Sequence, residues 1–221
     1  MNNDFLIIIP AFNEEKSIGN VLKNIDKTFK VLVVDDGSVD RTTLISKKFG
    51  AQIIKLKKNS GVDNALNKGF SFAKKNKYKF VITIDADGQH NPAYLKKISR
   101  LLKYNNYKLV IGERSEFPRF SEYLFSIFTK KIINVKDLLT GLKGYNIELF
   151  NVNGCYDSFR SIGTELSFFS ILKGYTFKIL KIKILKRKGK PRLGGWLNSN
   201  LKILRALFLL FLRYTRFKYE K

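Results

Sequence analysis

Asp85 and Asp87 stand one residue apart in Ile84-Asp85-Ala86-Asp87-Gly88-Gln89-His90, at the end of the apolar run Phe80-Val81-Ile82-Thr83-Ile84. In a strand, residues i and i+2 project to the same side, so the two carboxylates converge where the strand gives way to a loop. Two hard oxygen ligands beside open coordination positions suit Mg²⁺ or Mn²⁺, which keep waters and share their sphere with substrate phosphates. Asp-Gly is also a common turn pair, and an isolated D-x-D is weak evidence. A second acidic strand end, Val31-Leu32-Val33-Val34-Asp35-Asp36-Gly37-Ser38, raises the functional reading. One such end could be a turn; two in one chain suggest a site.

The elements that must position these groups alternate. Strand-like apolar runs fall at Phe5–Ile9, Val31–Val34, Gln52–Leu56, Phe80–Ile84 and Leu109–Ile111, with helix-like stretches at Glu14–Thr28, Arg41–Phe49, Gly61–Lys75 and Pro92–Tyr104 between them. Short, β-branched, almost continuously apolar strands separated by helices predict an α/β fold whose mostly parallel sheet is covered on both faces. Ligands of such sheets bind beyond the C-terminal ends of the strands. Asn13 and Glu14, Asp35 and Asp36, and Asp85 and Asp87 all fall at those ends. Asn13 and Asp40 are expected to cap the helices that follow them, and Pro92 to occupy a first helical turn. No G-x-G-x-x-G or G-x-x-x-x-G-K-[ST] follows a strand, which argues against dinucleotide-binding and P-loop chemistry.

At 221 residues the chain allows one domain, perhaps with an appendage, and can bury a full core. Cys155 is the only cysteine, so no intrachain disulfide forms, and a reducing compartment is expected. His90 is the only histidine, which removes histidine-cluster zinc sites. The run Phe5–Ile9 reads as a first strand and not as a signal peptide, having no basic segment before it. The formal net charge is +24, and the segment from Lys173 to Lys221 holds fifteen Lys and Arg against Glu220 alone. Such a field attracts polyanions: nucleic acid, anionic headgroups or phosphorylated substrates.

Three ordered segments carry a resemblance. Ile8-Ile9-Pro10-Ala11-Phe12-Asn13-Glu14-Glu15, Val34-Asp35-Asp36-Gly37-Ser38-Val39-Asp40-Arg41-Thr42 and Asp85-Ala86-Asp87-Gly88-Gln89-His90-Asn91-Pro92 resemble family 2 glycosyltransferases of the GT-A fold. The likeness is strongest to the dolichyl- and polyprenyl-phosphate mannosyl- or glucosyltransferases, and it extends over about residues 5–195. Gly61–Gly69, Ile111-Gly112-Glu113-Arg114 and Asp137–Lys143 are similar to further family segments; Arg41 and Leu142-Lys143 depart from the usual residues. The resemblance implies a nucleotide-diphosphate sugar donor. Pro10, Ala11, Asn13, Glu14 and Asp36 would line the base and ribose pocket, and Asp85 and Ala86 would belong to the same nucleotide-sugar site. Asp85, Asp87 and Gln89 would hold Mg²⁺ or Mn²⁺; His90 reads as a further ligand or, preferably, a loop residue. Asp87, Arg114 and Asp137 are the implied catalytic set.

A polyprenyl phosphate acceptor carries an oxygen already ionised near neutral pH, since a phosphomonoester's second pKa is ~6. Positioning cations then matter more than a general base. Arg114, Arg119, Lys131, Arg187 and Arg192 are the candidates, with Arg114 and Arg187 the best placed by resemblance. A sugar-hydroxyl acceptor would instead require a carboxylate base, from Asp137 or Glu165, although Asp137 can equally be an arginine's structural partner and Glu165 a first-turn helix residue.

The C-terminal segment 196–221, beyond a transferase domain at 1–195, reads as a helix over Trp196–Phe217. Its uncharged core Ala206–Leu212 is short against the ~20 apolar residues of a membrane span. At ~100° per residue, Lys202, Arg205, Arg213 and Arg216 share one ~80° arc, with Ile203, Leu204, Leu207, Phe208, Leu210 and Phe211 opposite. That pattern predicts a peripheral helix on an anionic membrane surface, at the cytoplasmic face; packing on the protein's own core or on a membrane-protein partner is the other reading. Nucleic acid is not expected as a partner, because the acidic strand ends would repel its phosphates. A degenerate sugar-nucleotide-binding scaffold is a non-enzymatic reading that the intact D-x-D disfavours.

Overall fold

The computed structural model describes residues 4–117, 119–185 and 196–219. A seven-stranded sheet runs in the order β3-β2-β1-β4-β6-β5-β7. The predicted strands are β1 (Phe5–Ala11), β2 (Lys30–Asp35), β3 (Gln52–Lys55), β4 (Phe80–Thr83) and β5 (Leu109–Arg114). Two more were not predicted: β6 (Lys143–Asn146) and β7 (Phe177–Ile182). β1 pairs in parallel with β2 and β4, and β2 with β3. β6 enters antiparallel between β4 and β5. Its first residue, Lys143, pairs with Thr83, the last residue of β4. The segment leading into β6 therefore arrives at the strand edge where Asp85 and Asp87 emerge.

Why these runs become central strands is visible in β1. All seven of its residues are buried, because side chains alternate between two covered faces. Leu6 and Ile8 join a core with α3 (Val62–Lys75), α5 (Phe120–Ile133), α6 (Ile147–Asn153) and α7 (Glu165–Leu172). Phe5, Ile7 and Ile9 join the opposite core with α1 (Ile18–Lys23) and α4 (Tyr94–Tyr104). The short α2 (Thr42–Lys48) packs beside α1. The C-terminal helix α8 spans Trp196–Tyr219 and contributes Ile203, Ala206 and Leu210 to the first core.

Local capping departs from expectation at two places. Asn13 is not a helix cap: it sits at φ 53, and α1 begins only at Ile18 after a turn. Its amide oxygen instead accepts from Val39 N–H (3.0 Å), and its own N–H donates to Ser38 Oγ (2.9 Å). Asn tolerates the left-handed region because its short polar side chain bonds locally. Asp40 lies one residue before the observed N-cap of α2, Arg41, yet it accepts from Thr42 N–H at the first residue of α2 (2.9 Å). Pro92 falls in the turn before α4, where Asn91 Oδ1 accepts from Ala93 N–H (2.9 Å).

Candidate active site

The ends of β1 and β2 form one corner. Pro10 and Ala11 are buried in β1, so what they offer a ligand is backbone and a fixed apolar wall. Glu14 is also buried; its N–H donates to Thr42 Oγ1 (2.7 Å) and its carboxylate accepts from the Ser17 hydroxyl. Asp36 accepts from Ser60 N–H and Gly61 N–H, both at 2.8 Å, one on each oxygen. Charged acceptors on backbone N–H groups at a helix start are favourable twice over, through charge-assisted hydrogen bonding and the helix dipole. Asp36 thereby ties the β2 end to the start of α3. Gly37 is required between them: at φ +80, a Cβ on it would lie 2.7 Å from the Lys58 backbone carbon.

The β4 end carries the candidate metal edge. Asp87 is buried and its Oδ1 accepts from Gln89 N–H (3.0 Å), with Gly88 at φ 77 making the turn. Asp85 is more open, its side chain 37% exposed. His90 is buried in the same loop, and its Nε2 lies 3.2 Å from Asp85 Oδ2. The preferred loop reading therefore missed a contact: the imidazole sets the direction of that carboxylate. The carboxylate rests against Gly141, where a Cβ would collide with both of its oxygens. Ala86 is fully buried between the two aspartates, its methyl group part of the core on the α1 and α4 side of the sheet.

Among the described residues, no group of three or more His, Cys, Asp and Glu side chains could hold a metal ion by itself. The donor set fits a cation that binds through one or two carboxylates and completes its sphere with phosphate and water, as Mg²⁺ does. The partial exposure of the Asp85 side chain, beside the buried Asp87, agrees with that mode.

Arg114 closes the other side. It ends β5, and its guanidinium forks onto Asp137: Nε donates to Oδ2 (2.7 Å) and Nη2 to Oδ1 (2.9 Å), while Arg114 N–H also reaches Oδ2 (3.0 Å). Glu122 on α5 lies 3.6 Å from Arg114 and accepts from Arg119 Nη1 at 2.5 Å. Burial alone would favour loss of the Arg114 proton. The hydrogen bond and charge of Asp137, with the charges of Glu122 and Asp85, outweigh it and hold the guanidinium protonated. Asp137 is 1% exposed.

Not every candidate converges. Lys131 sits exposed near the last turn of α5, ~16 Å along the axis from that helix's start beside Arg114. Arg187 and Arg192 lie outside the described residues. Gln89 is half-buried next to Asp87, and its carbonyl accepts from Leu185 N–H (2.8 Å). Glu165 opens α7; its carboxylate accepts from Ser158 N–H and Ser158 Oγ, and burial raises its pKa.

Sequence reasoning missed a buried polar cluster beneath this edge. Lys143 is 1% exposed and donates to the Gly163 carbonyl (2.8 Å). Burial pushes its pKa down to about 8, against the pull of Asp137, Asp85, Asp157 and Asp63. Asp157 accepts from Ser161 N–H and Gly163 N–H, both at 3.0 Å. Asp63, in the first turn of α3, is pushed up to about 7 by burial and by the nearby Asp157 charge. Its Oδ1 is buried without a hydrogen-bond partner. Lys143 offered no signal, since the strand it opens was not predicted. Glu122 offered none, since an acidic residue in a helix's first turn reads as solvated.

Known proteins resemble this chain in sequence and in shape. The family model described as Glycosyl transferase family 2 matches residues 6–162. A UDP-N-acetylglucosamine--dolichyl-phosphate N-acetylglucosaminyltransferase from Methanococcus voltae is 32% identical over 148 residues, covering 58% of each chain. A dolichyl-phosphate hexose transferase from Haloferax volcanii is 26% identical over 204 residues, covering 86% of this chain and 87% of that one. The chain spans about half the length of the first curated relatives it matches. Glucosyl-3-phosphoglycerate synthase from Mycobacterium tuberculosis, solved with Mg²⁺ and uridine diphosphate, superposes with a TM-score of 0.73 at 18% identity over 92% of this chain and 78% of that one. That likeness shows the GT-A fold.

Proposed function

The chain belongs to glycosyl transferase family 2, and from that membership we propose that it transfers a hexose from a nucleotide-diphosphate sugar to a polyprenyl phosphate at the cytoplasmic face of the membrane. The observation that carries this reading is the placement of a buried, permanently charged arginine fork, Arg114 on Asp137, within electrostatic reach of the Asp85 edge. One edge suits the donor's diphosphate and the other an acceptor phosphate. The names of the Methanococcus voltae and Haloferax volcanii relatives support a lipid phosphate as acceptor.

In this reading Pro10, Ala11, Asn13, Glu14 and Asp36 frame the base and ribose, and Asp85, Asp87 and Gln89 hold Mg²⁺ or Mn²⁺. When bound, such a cation supplies Lewis-acid stabilisation of charge on the departing diphosphate. Arg114, with Arg119 beside it, orients the acceptor phosphate. An acceptor oxygen attacks C1 of the sugar, the bond from C1 to the diphosphate oxygen breaks, and the electron pair leaves with the nucleoside diphosphate. One displacement of this kind inverts the anomeric centre. No proton need be removed, because the attacking oxygen is already ionised. In this reading Asp137 serves as a positioning residue: it is buried and its oxygens accept three hydrogen bonds from Arg114.

Product analysis tests the reading. Purified protein and membranes incubated with labelled nucleotide sugars should yield a mild-acid-labile glycosyl phospholipid on organic extraction. A new glycosidic bond to a saccharide hydroxyl would replace this conclusion with a glycan acceptor.

A further inference from the structure

The transfer reading gives Arg114, Arg119 and Asp137 a task but none to Glu122, which lies among them. The Glu122 side chain is 4% exposed, whereas those of Arg114 and Arg119 are 18% and 22% exposed. The two guanidinium groups are therefore the more accessible members of the cluster, and the Glu122 and Asp137 carboxylates the more deeply buried. Glu122 is held there through the start of its helix. Asn200 Oδ1 on α8 accepts from Ser121 N–H (3.2 Å) and Ser121 Oγ (2.6 Å), which fixes the first turn of α5.

As a structural partner Glu122 is incompletely used. Its Oε1 accepts from Arg119 Nη1 (2.5 Å). Its Oε2 stands 3.6 Å from Arg114 Nη2, too far for a hydrogen bond. Among the described residues that buried oxygen has no hydrogen-bond partner. Arg114 does not depend on it, because Asp137 already holds Nε and Nη2 in a bidentate fork. A buried carboxylate oxygen left without a hydrogen bond costs stability, so ion pairing alone is a poor reason for this residue. What Glu122 does supply is charge. Arg114, Arg119 and Asp137 sum to +1, and with Glu122 the four side chains sum to zero.

That charge bears on a change the reaction itself makes. A phosphomonoester acceptor carries about −1.5 to −2 near neutral pH and offers three terminal oxygens. Attack of one of them on C1 turns the monoester into a phosphodiester with a single negative charge; the rest of the charge departs with the nucleoside diphosphate. Acceptor and product thus present the same phosphate to the arginines, with less charge and fewer terminal oxygens after transfer. A site of +1 would hold both firmly. A site of zero net charge keeps its directed N–H contacts for the acceptor and loses the general pull that would retain the product. We propose that Glu122 is a specificity-determining residue that weakens the hold of the arginine pair on phosphodiesters, so that the glycosylated product leaves and other phosphodiesters do not occupy the site. The inference rests on the transfer reading and adds to it the means of telling acceptor from product.

Calorimetry with geranyl phosphate as the monoester and geranyl methyl phosphate as the diester measures both affinities without a sugar donor. Wild-type protein should bind the monoester more tightly. Glu122→Gln should bind the diester ~10-fold more tightly than wild type does, and the monoester by at least the same factor, as removal of one charge a few ångströms away requires. In turnover the variant should show a lower KM for geranyl phosphate together with a lower kcat, and inhibition by diester at concentrations that leave wild type unaffected. Loss of a merely structural contact would not lower KM and kcat in this combination. Glu122→Asp keeps the charge but draws it back by one methylene, and should fall between wild type and Gln; it carries the test if circular dichroism shows the Gln variant unfolded. Weaker diester binding in the variants overturns the inference and makes Glu122 a support for the arginines. Tighter diester binding with no glycosylated lipid from any nucleotide sugar keeps the charge role and removes the transfer reading. Normal product formation with wild-type affinities in both variants does the reverse.

Discussion

Gly141 lies directly against the Asp85 carboxylate, leaving no space for a Cβ between them. The two residues come from different strand connections and meet because β6 begins beside the end of β4. Thr83 fastens the contact, its hydroxyl donating to the Gly141 carbonyl (2.8 Å). Gly141→Ala should therefore displace Asp85 and weaken Mn²⁺ binding by ~10-fold or more, a loss typical of disturbed ligand positioning. Calorimetric titration of Mn²⁺ in the presence of nucleoside diphosphate checks this; unchanged affinity would separate Asp85 from the metal.

Asp87→Asn should keep the fold, since an amide oxygen can still accept from Gln89 N–H. Turnover should nonetheless fall by ~100-fold or more, or ~3 kcal/mol or more of transition-state stabilisation. Steady-state rates with and without chelator provide the measurement. Full activity in excess chelator refutes a divalent cation.

Arg114→Ala should raise KM for polyprenyl phosphate and lower kcat while leaving nucleotide-sugar affinity near normal. Arg114→Lys should rescue only part of the loss, because a point charge cannot reproduce the two-pronged contact with Asp137. Asp137→Asn should cost less than Arg114→Ala and should leave the pH profile unchanged. A near-total loss together with disappearance of an acidic limb would make Asp137 a base and favour a hydroxyl acceptor.

Asp63 yields a stability prediction with a definite sign. Its folded pKa is pushed up to about 7, against an ordinary value of ~4 in the unfolded chain. The neutral carboxyl's contribution is thus complete below the unfolded value and lost as pH rises through about 7. Asp63→Asn cannot ionise, so it should match the wild type near pH 4. It should be more stable above pH 7, by on the order of 2 kcal/mol. Urea denaturation at a series of pH values measures the difference. A variant less stable than wild type at pH 8 would show that Lys143 holds Asp63 ionised.

Local sequence determined the elements and the type of chemistry. Phe5–Ala11, Lys30–Asp35 and Phe80–Thr83 are central strands because nearly continuous apolar runs can be satisfied only when both faces are covered. That same requirement places the acidic residues following them at one edge of the sheet. Tertiary structure alone decided the partners of those residues. β6 was invisible, since Lys143-Gly144-Tyr145-Asn146 has neither alternation nor a β-branched residue, and the antiparallel insertion stands on its neighbours' ladders. Without it, Gly141 has no reason to meet Asp85, nor Asp137 to meet Arg114. α8 shows the same division of labour. A helical period establishes which residues share an arc, but only packing against α5 and α7 sends Ile203 inward and leaves Phe208 outside. Periodicity is a property of one helix, whereas burial depends on which neighbour covers each arc.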